Sequence, residues 1–137
     1  ITRTYLHQLR LLFIVKLLFY FVRVNRRSLM SRLTLEIEDV KELFRCYMPF
    51  IKGGALFVKT NQPLKLGDEV SLVITLPDAL EPETFSGLVV WINPQGAQNS
   101  NPTGVGVSLE NQDSKMQLKI EKLLGPLLNS PEATYTM

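Results

Sequence analysis

At 137 residues the chain is long enough for one packed domain and too short for two ordinary ones, and its hydrophobic content of 45% is typical of a globular protein. Residues 1–29 carry six basic side chains and no acidic ones, so residues 30–137 carry nine basic against thirteen acidic side chains. That acidic balance gives no electrostatic basis for nucleic-acid binding. The single cysteine, Cys46, excludes an internal disulfide and a multi-cysteine metal site, and it favours a reducing, cytoplasmic compartment. The single histidine, His7, leaves residues 30–137 without the base of Ser-His or Cys-His catalysis, so we expect no enzyme.

The first 29 residues contain an apolar run at residues 11–22 that Lys16 interrupts. A bilayer-spanning helix needs about 20 apolar residues, and this run has positive charge on both sides. We therefore expect neither stable membrane insertion nor a secretory signal. Because the chain starts with Ile1 and a methionine follows at position 30, residues 1–29 are interpreted as a non-native or flexible extension, the product of a gene start assigned too far upstream. A helix lying in a membrane interface and a true anchor are the alternatives.

Alternation of apolar and polar residues predicts the strands. The pattern from Leu33 to Ile37 has a period of two and predicts the first strand. Asp39 is placed to cap a short helix over residues 40–46. Further strands, separated by turn residues, are expected over residues 55–60, 69–76, 84–93 and 104–109.

A helical period replaces the strand pattern near the C-terminus. A helix from about residue 112, which Gly125 and Pro126 end or kink, is predicted by the helical spacing of five apolar residues: Met116, Ile120, Leu123, Leu124 and Leu127. Several short strands followed by one amphipathic helix predict a small barrel or sandwich with the helix over one mouth or edge. The expected organisation is an extension at residues 1–29, a folded domain at 30–129 and a flexible polar tail at 130–137.

Four segments carry a resemblance to a known family: YMPFIKGGALFV at residues 47–58, GDEV at 67–70, VVWINPQGAQ at 89–98 and GVGVSLE at 104–110. In this order and spacing they resemble a PilZ domain, of the subtype that acts in type IV pilus biogenesis. The resemblance covers about residues 33–125. It implies a six-stranded antiparallel β-barrel with a C-terminal α-helix.

In PilZ domains that bind cyclic di-GMP, an Asp/Asn-x-Ser-x-x-Gly motif stands where this chain has PFIKGG at residues 49–54. Only Gly54 matches, and Pro49 and Ile51 replace polar residues with side chains that neither donate nor accept hydrogen bonds. The resemblance therefore implies that the chain binds no cofactor or nucleotide. The alternative is a cyclic di-GMP receptor in which Arg23 and Arg27, which match the Arg-x-x-x-Arg spacing of ligand-binding members, clamp the phosphates.

Several large apolar side chains are crowded into residues 44–50. Such residues usually belong to a core, but a small barrel has little room for all of them, so we expect some of them to form an exposed patch that binds a partner. Trp91 fits either a core position or an interface anchor. The predicted partner-binding residues are Phe44, Tyr47, Met48, Pro49, Phe50, Trp91, Leu124 and Tyr135.

The resemblance also implies the partners. Pilus-type PilZ proteins bind the pilus-extension ATPase and a degenerate diguanylate cyclase/phosphodiesterase scaffold protein. The aromatic patch is assigned to the ATPase, and the C-terminal helix and tail to the scaffold, the tail by adding as a strand to a partner's sheet. We expect a monomeric cytoplasmic adaptor without metal, recruited to the inner-membrane pilus base or the cell pole.

Overall fold

A computed structural model describes residue 16 and residues 30–96, 101–110 and 114–136. The chain divides into two units, Ile1–Met30 and Ser31–Met137, and all the elements named here belong to the second. In chain order they are β1 (Ser31–Glu36), α1 (Val40–Cys46), β2 (Tyr47–Met48), β3 (Ala55–Lys59), β4 (Glu69–Thr75), β5 (Glu83–Asn93), β6 (Gly104–Ser108), α2 (Lys115–Leu124) and a 3-10 helix (Gly125–Asn129).

Local chemistry accounts for the start of α1 and the end of α2, whereas α2 begins at Lys115, later than the predicted start near residue 112, without a side-chain cap from Ser114. The carboxylate of Asp39 accepts a hydrogen bond from the backbone N–H of Glu42 at 2.8 Å, which confirms the predicted cap of α1. In α2 the predicted apolar stripe is buried at Met116, Ile120 and Leu124. Gly125, with a φ of +52°, ends that helix, as expected of a residue that tolerates positive φ.

The six strands form one sheet in the order β1-β4-β5-β6-β3-β2. Four of the five neighbouring pairs are antiparallel, but the prediction of a fully antiparallel barrel is wrong at the fifth. There β1 runs parallel to β4, because the long connection through α1, β2 and β3 brings the chain back in its original direction. In the part of the chain that the structure describes, no ladder joins β1 to β2, so the sheet is mixed and open. A two-residue β2 has few backbone groups for a second ladder.

A bulge in β5 gives the sheet its curvature. The first half of β5 pairs with β4, from Glu83 to Leu88, and the second half pairs with β6, from Val89 to Asn93. The register shifts between Val89 and Trp91, so one extra residue lies in β5 at the point where the strand changes partners. An inserted residue bends a strand and increases its twist, and the eleven-residue β5 can therefore serve both halves of the sheet.

The sheet has apolar side chains packed on both faces. The main core lies under α1 and α2 and includes Leu43, Leu72 and Ile120. On the other face a second, smaller cluster consists of Met48, Ala55 and Phe57. We call this second group the outer cluster. Residues 55–58 of β3 are therefore all buried, because alternate side chains of one strand belong to different cores.

Candidate protein-binding site

One end of the second unit carries an apolar groove of about 170 Å³. One wall comes from the region between α1 and the turn after β2, and the other from the 3-10 helix and the segment that follows it. The lining residues are Phe44, Tyr47, Pro49, Phe50, Leu128, Ser130, Glu132 and Thr134. The predicted aromatic patch and the predicted C-terminal tail therefore meet at one site instead of forming two separate surfaces.

The first wall of the groove is built by a tight turn. The N–H of Ile51 donates to the carbonyl of Met48 at 3.4 Å, and the N–H of Gly54 donates to the carbonyl of Ile51 at 2.8 Å. Gly54 has a φ of +79°, and a Cβ on it would lie 3.0 Å from the ring and hydroxyl of Tyr47. Gly54 is thus required by the turn and by the packing of Tyr47, without reference to a ligand.

Pro49 and Ile51, which the resemblance aligns with polar residues of a nucleotide-binding motif, are the other two positions of interest in this turn. Ile51 is half-buried and packs against the outer cluster, and Pro49 is exposed at the rim of the groove. Neither side chain offers a polar atom to a guanine edge. Burial of that edge here would leave its donors and acceptors unpaired, which opposes binding.

The predicted partner-binding residues differ in exposure. Phe50 is 43% exposed and stands edge-on to Trp91, with ring centroids 5.5 Å apart. Phe44, Trp91 and Tyr135 are half-buried, and Pro49 is exposed.

Three of the predicted residues, Tyr47, Met48 and Leu124, are at most 2% exposed. They lie in the interior because the sheet is covered on both faces at β2 and because α2 turns Leu124 toward the main core. These three side chains therefore lie beneath the protein surface and pack under the residues that are exposed. The exposed apolar area belongs mainly to Phe50 and Pro49.

Tyr47 ties the groove to α2. Its hydroxyl donates to a carboxylate oxygen of Glu121 at 2.8 Å. Burial raises the pKa of the Tyr47 phenol above its usual value, and the hydrogen bond to Glu121 raises it further. The phenol therefore stays protonated and holds the first wall against the C-terminal helix.

Replacing Tyr47 by phenylalanine is expected to lower the free energy of unfolding by about 1 kcal/mol at pH 7, because one partly buried hydrogen bond is lost. Urea denaturation of the full chain measures this.

A raised phenol pKa contributes stability below the unfolded value of about 10, and that contribution is lost as pH rises further. The wild-type chain should thus lose stability above pH 10 more steeply than Y47F. Glu121→Gln, whose amide oxygen still accepts the bond, should cost less than Y47F; equal alkaline slopes for wild type and Y47F would contradict the assignment.

Cys46 is buried beside the groove and is no nucleophile. Burial, and then the neighbouring Glu42 carboxylate, raise the pKa of the Cys46 thiol to about 12. At neutral pH the thiol is therefore protonated and unreactive. A buried, protonated thiol of this kind packs as a small apolar side chain.

The second wall of the groove is anchored by Tyr135. Its hydroxyl donates to both carboxylate oxygens of Glu42 at 2.9 Å and accepts from the amine of Lys59 at 3.1 Å. That amine also lies 4.3 Å from the centre of the tyrosine ring. The ring itself packs against Phe57 of the outer cluster, at a centroid distance of 5.8 Å.

The backbone of Tyr135 is held as well. Its N–H donates to the carbonyl of Arg45 at 3.1 Å, and its carbonyl accepts from the side-chain amide of Asn93 at 2.8 Å. Asn93 in turn accepts from the indole N–H of Trp91 at 2.7 Å. The sequence predicts a mobile tail over residues 130–137. Within that tail, Tyr135 packs against the outer cluster and Thr136 is buried.

Glu42, Lys59 and Asn93 hold Tyr135 and were not among the predicted site residues. Glu42 falls within the predicted helix over residues 40–46, and Asn93 ends the strand predicted over residues 84–93. Their common role depends on contacts up to 93 residues apart in the chain. The sequence signal of this arrangement is Tyr135, the one aromatic residue in the tail at residues 130–137.

In the described ranges 30–96, 101–110 and 114–136, no group of three or more His, Cys, Asp and Glu side chains could hold a metal ion. The same residues contain no helix that is long and apolar enough to cross a membrane. The apolar run at residues 11–22, Arg23 and Arg27 lie outside the described residues, apart from Lys16.

The described residues of the second unit form a small, mostly-strand domain, in which one open, mixed sheet carries two α-helices and an apolar groove. The sequence model described as "PilZ domain" matches residues 21–125, which is most of the chain. The chain therefore belongs to the PilZ domain family, whose members are generally non-catalytic binding domains. No curated protein matches the chain significantly.

Proposed function

We propose that the protein is a non-enzymatic adaptor in type IV pilus assembly and twitching motility. It links the pilus-extension ATPase to a degenerate cyclase/phosphodiesterase scaffold that senses cyclic di-GMP. The observation that supports this proposal best is the apolar groove at the altered nucleotide motif, where Pro49 and Phe50 are exposed and Ile51 is packed inward. A cytoplasmic monomer, recruited to the pilus base or the cell pole, is part of the same proposal.

The groove has the chemistry of a site for a protein segment. Its walls are mainly apolar, and the polar side chains of Ser130, Glu132 and Thr134 stand along one side only. An apolar anchor from a partner could bury its surface against Phe44 and Phe50, while backbone groups at its edge meet the polar side. In the proposed assignment this partner is the ATPase. The scaffold binds the C-terminal helix and the segment around Tyr135.

Direct binding of cyclic di-GMP is the second candidate function, and one observation favours it. The PilZ match begins at residue 21 and so includes Arg23 and Arg27 upstream of Met30. Two guanidinium groups at this spacing suit the phosphates and guanine edges of the dinucleotide. The apolar side chains at Pro49 and Ile51 oppose it, because the guanine would find no polar partner there.

Calorimetric titration of cyclic di-GMP into the full chain distinguishes the two functions. The adaptor proposal predicts no binding heat, either for the wild type or for a variant carrying both Arg23→Ala and Arg27→Ala. Micromolar binding by the wild type that the double substitution abolishes would establish the receptor instead. The substitutions lie far in sequence from the groove, so the double variant should retain partner binding.

The adaptor proposal itself is tested with purified pilus-extension ATPase and purified scaffold protein on the immobilised full chain. We expect each of the two proteins to bind the chain saturably. Cyclic di-GMP should alter binding to the chain only when the scaffold is present, because in this proposal the scaffold senses the nucleotide and the chain does not. Absence of binding to both proteins, with a chain that is folded by circular dichroism, would overturn the proposal.

A further inference from the structure

The segment at residues 130–136 is attached to the sheet in an uneven way. Just before the segment, Leu128 of the 3-10 helix packs against the main core. Near the end of the segment, Tyr135 is hydrogen-bonded to Glu42 and Asn93. Between these points Pro131, Glu132 and Ala133 are exposed, and the segment has no helix or strand. A stretch fixed at both ends and exposed between them has few contacts that resist local opening.

Contacts from several parts of the fold converge on one residue of this segment. Tyr135 combines a hydroxyl bonded to Glu42, a ring packed on Phe57, and backbone groups bonded to Arg45 and Asn93. These contacts come from α1, β3 and β5, which are parts of the folded sheet and its helix. Loss of these contacts does not require any strand pair to separate.

We propose that residues 130–136 form a strap, latched by Tyr135, that opens and closes as a unit while the sheet stays folded. In the closed state the strap supplies Ser130, Glu132 and Thr134 to the second wall of the groove, and its Tyr135 packs against the outer cluster. In the open state the groove loses that wall, and the N–H and C=O groups of Tyr135 become available. Tyr135 acts here as a positioning residue, because it shapes the groove through the segment it holds.

The closed and open states differ in whether the backbone N–H and C=O groups of Tyr135 are hydrogen-bonded within the chain. In the closed strap the N–H and carbonyl of Tyr135 are both bonded within the chain, to Arg45 and Asn93. A partner that paired with this segment as an added strand would need those groups, so it would have to open the strap. A ligand of the complete groove and a peptide that pairs with the free segment should therefore antagonise each other. This consequence rests on the proposed function: an adaptor that holds the ATPase and the scaffold together must bind the scaffold with the strap closed.

Amide hydrogen exchange on the full chain, without any partner, tests the strap. Tyr135→Phe keeps the ring and removes the hydroxyl bonds, and it should speed exchange at position 135 about tenfold. Tyr135→Ala removes the ring as well and should abolish most protection there. Amides of β4, such as that of Leu72, should change less than twofold. Glu132→Ala, an exposed change in the same segment, is the matched control and should leave exchange at position 135 unchanged.

Either of two results would overturn the inference. Uniform acceleration across the sheet in Y135A would show that the segment unfolds only together with the domain. Unchanged exchange at position 135 in both tyrosine variants would show that Tyr135 is no latch. Because no partner takes part, failure here leaves the adaptor proposal standing, and failure to bind the ATPase or the scaffold leaves the strap standing.

The single tryptophan supplies a second readout. Trp91 touches the groove through the ring of Phe50 and reaches the latch through its hydrogen bond to Asn93. Opening of the strap in Y135A should therefore expose Trp91, shift its emission to longer wavelength and increase quenching by acrylamide at least twofold. The emission and quenching of the Glu132→Ala control should match those of the wild type. If Y135A also showed wild-type emission, that result would contradict opening of the strap toward the groove.

Discussion

Replacing Gly104 by alanine is expected to lower the free energy of unfolding by about 3 kcal/mol, the largest effect of any single change considered for this chain. Gly104 begins β6 and lies in register with Lys59 of β3 on one side and Asn93 of β5 on the other. A Cβ at Gly104 would overlap the carbonyl oxygen of Val58 and lie 2.7 Å from the ring of Phe57. Backbone atoms cannot yield as a flexible side chain does, so the strands would have to separate.

Urea denaturation of the full chain measures this loss, and failure of G104A to fold would be the same result in its extreme form. Gly96→Ala is the control, because nothing lies within 4 Å of a Cβ there although its φ is +79°. It should cost only the strain of that conformation, about 1 kcal/mol. If G104A lowered the free energy of unfolding no more than Gly96→Ala does, β3 and β6 would have to separate easily. Because Lys59 and Asn93 both contact Tyr135, G104A should also increase exchange at position 135.

Phe50→Ala is expected to weaken binding of the pilus-extension ATPase about thirtyfold, equivalent to about 2 kcal/mol. Phe50 is the most exposed aromatic side chain of the groove, and its edge contact with Trp91 fixes its orientation in advance. A preoriented aromatic ring loses little conformational entropy when a partner covers it. The truncation removes that buried area from the interface.

The binding of F50A is measured on the immobilised full chain against purified ATPase, beside Leu66→Ala. Leu66 is 66% exposed and does not line the groove, so L66A removes an exposed apolar side chain elsewhere and should bind as the wild type does. F50A should unfold within about 1 kcal/mol of the wild type, because its ring is already half in water. Weaker binding by L66A than by F50A would place the ATPase on a different surface.

Local rules account for most of the secondary structure. Asp39 satisfies the first turn of α1 with its own carboxylate, and the apolar period of α2 selects Met116 and Ile120 for the core. Such features depend on residues three or four apart, so a single sequence reveals them. The resemblance also led to the family that the PilZ match shows. The parallel pairing of β1 with β4 was missed, because strand direction in a sheet depends on the path of the whole connection.

Exposure within the aromatic segment could not be read from its residues. Tyr47, Met48 and Phe50 are all large and apolar, yet only Phe50 faces solvent to a substantial degree. A period of two predicts that neighbours in a strand face opposite sides, but it does not say whether each side is covered. Met48 is buried with Phe57 in the outer cluster, against which Tyr135 packs from a segment more than 80 residues later in the chain.

The sequence by itself determined the strand and helix pattern, the absence of polar side chains at Pro49 and Ile51, and the lack of histidine beyond His7. These are matters of residue type and short spacing, which do not depend on distant contacts. Only the tertiary structure decided that the patch and the tail share one groove and that Tyr135 is fixed between Glu42 and Asn93. That arrangement arises from the folding of α1, β5 and the C-terminal segment onto one end of the sheet, where each supplies part of a site that none could form alone.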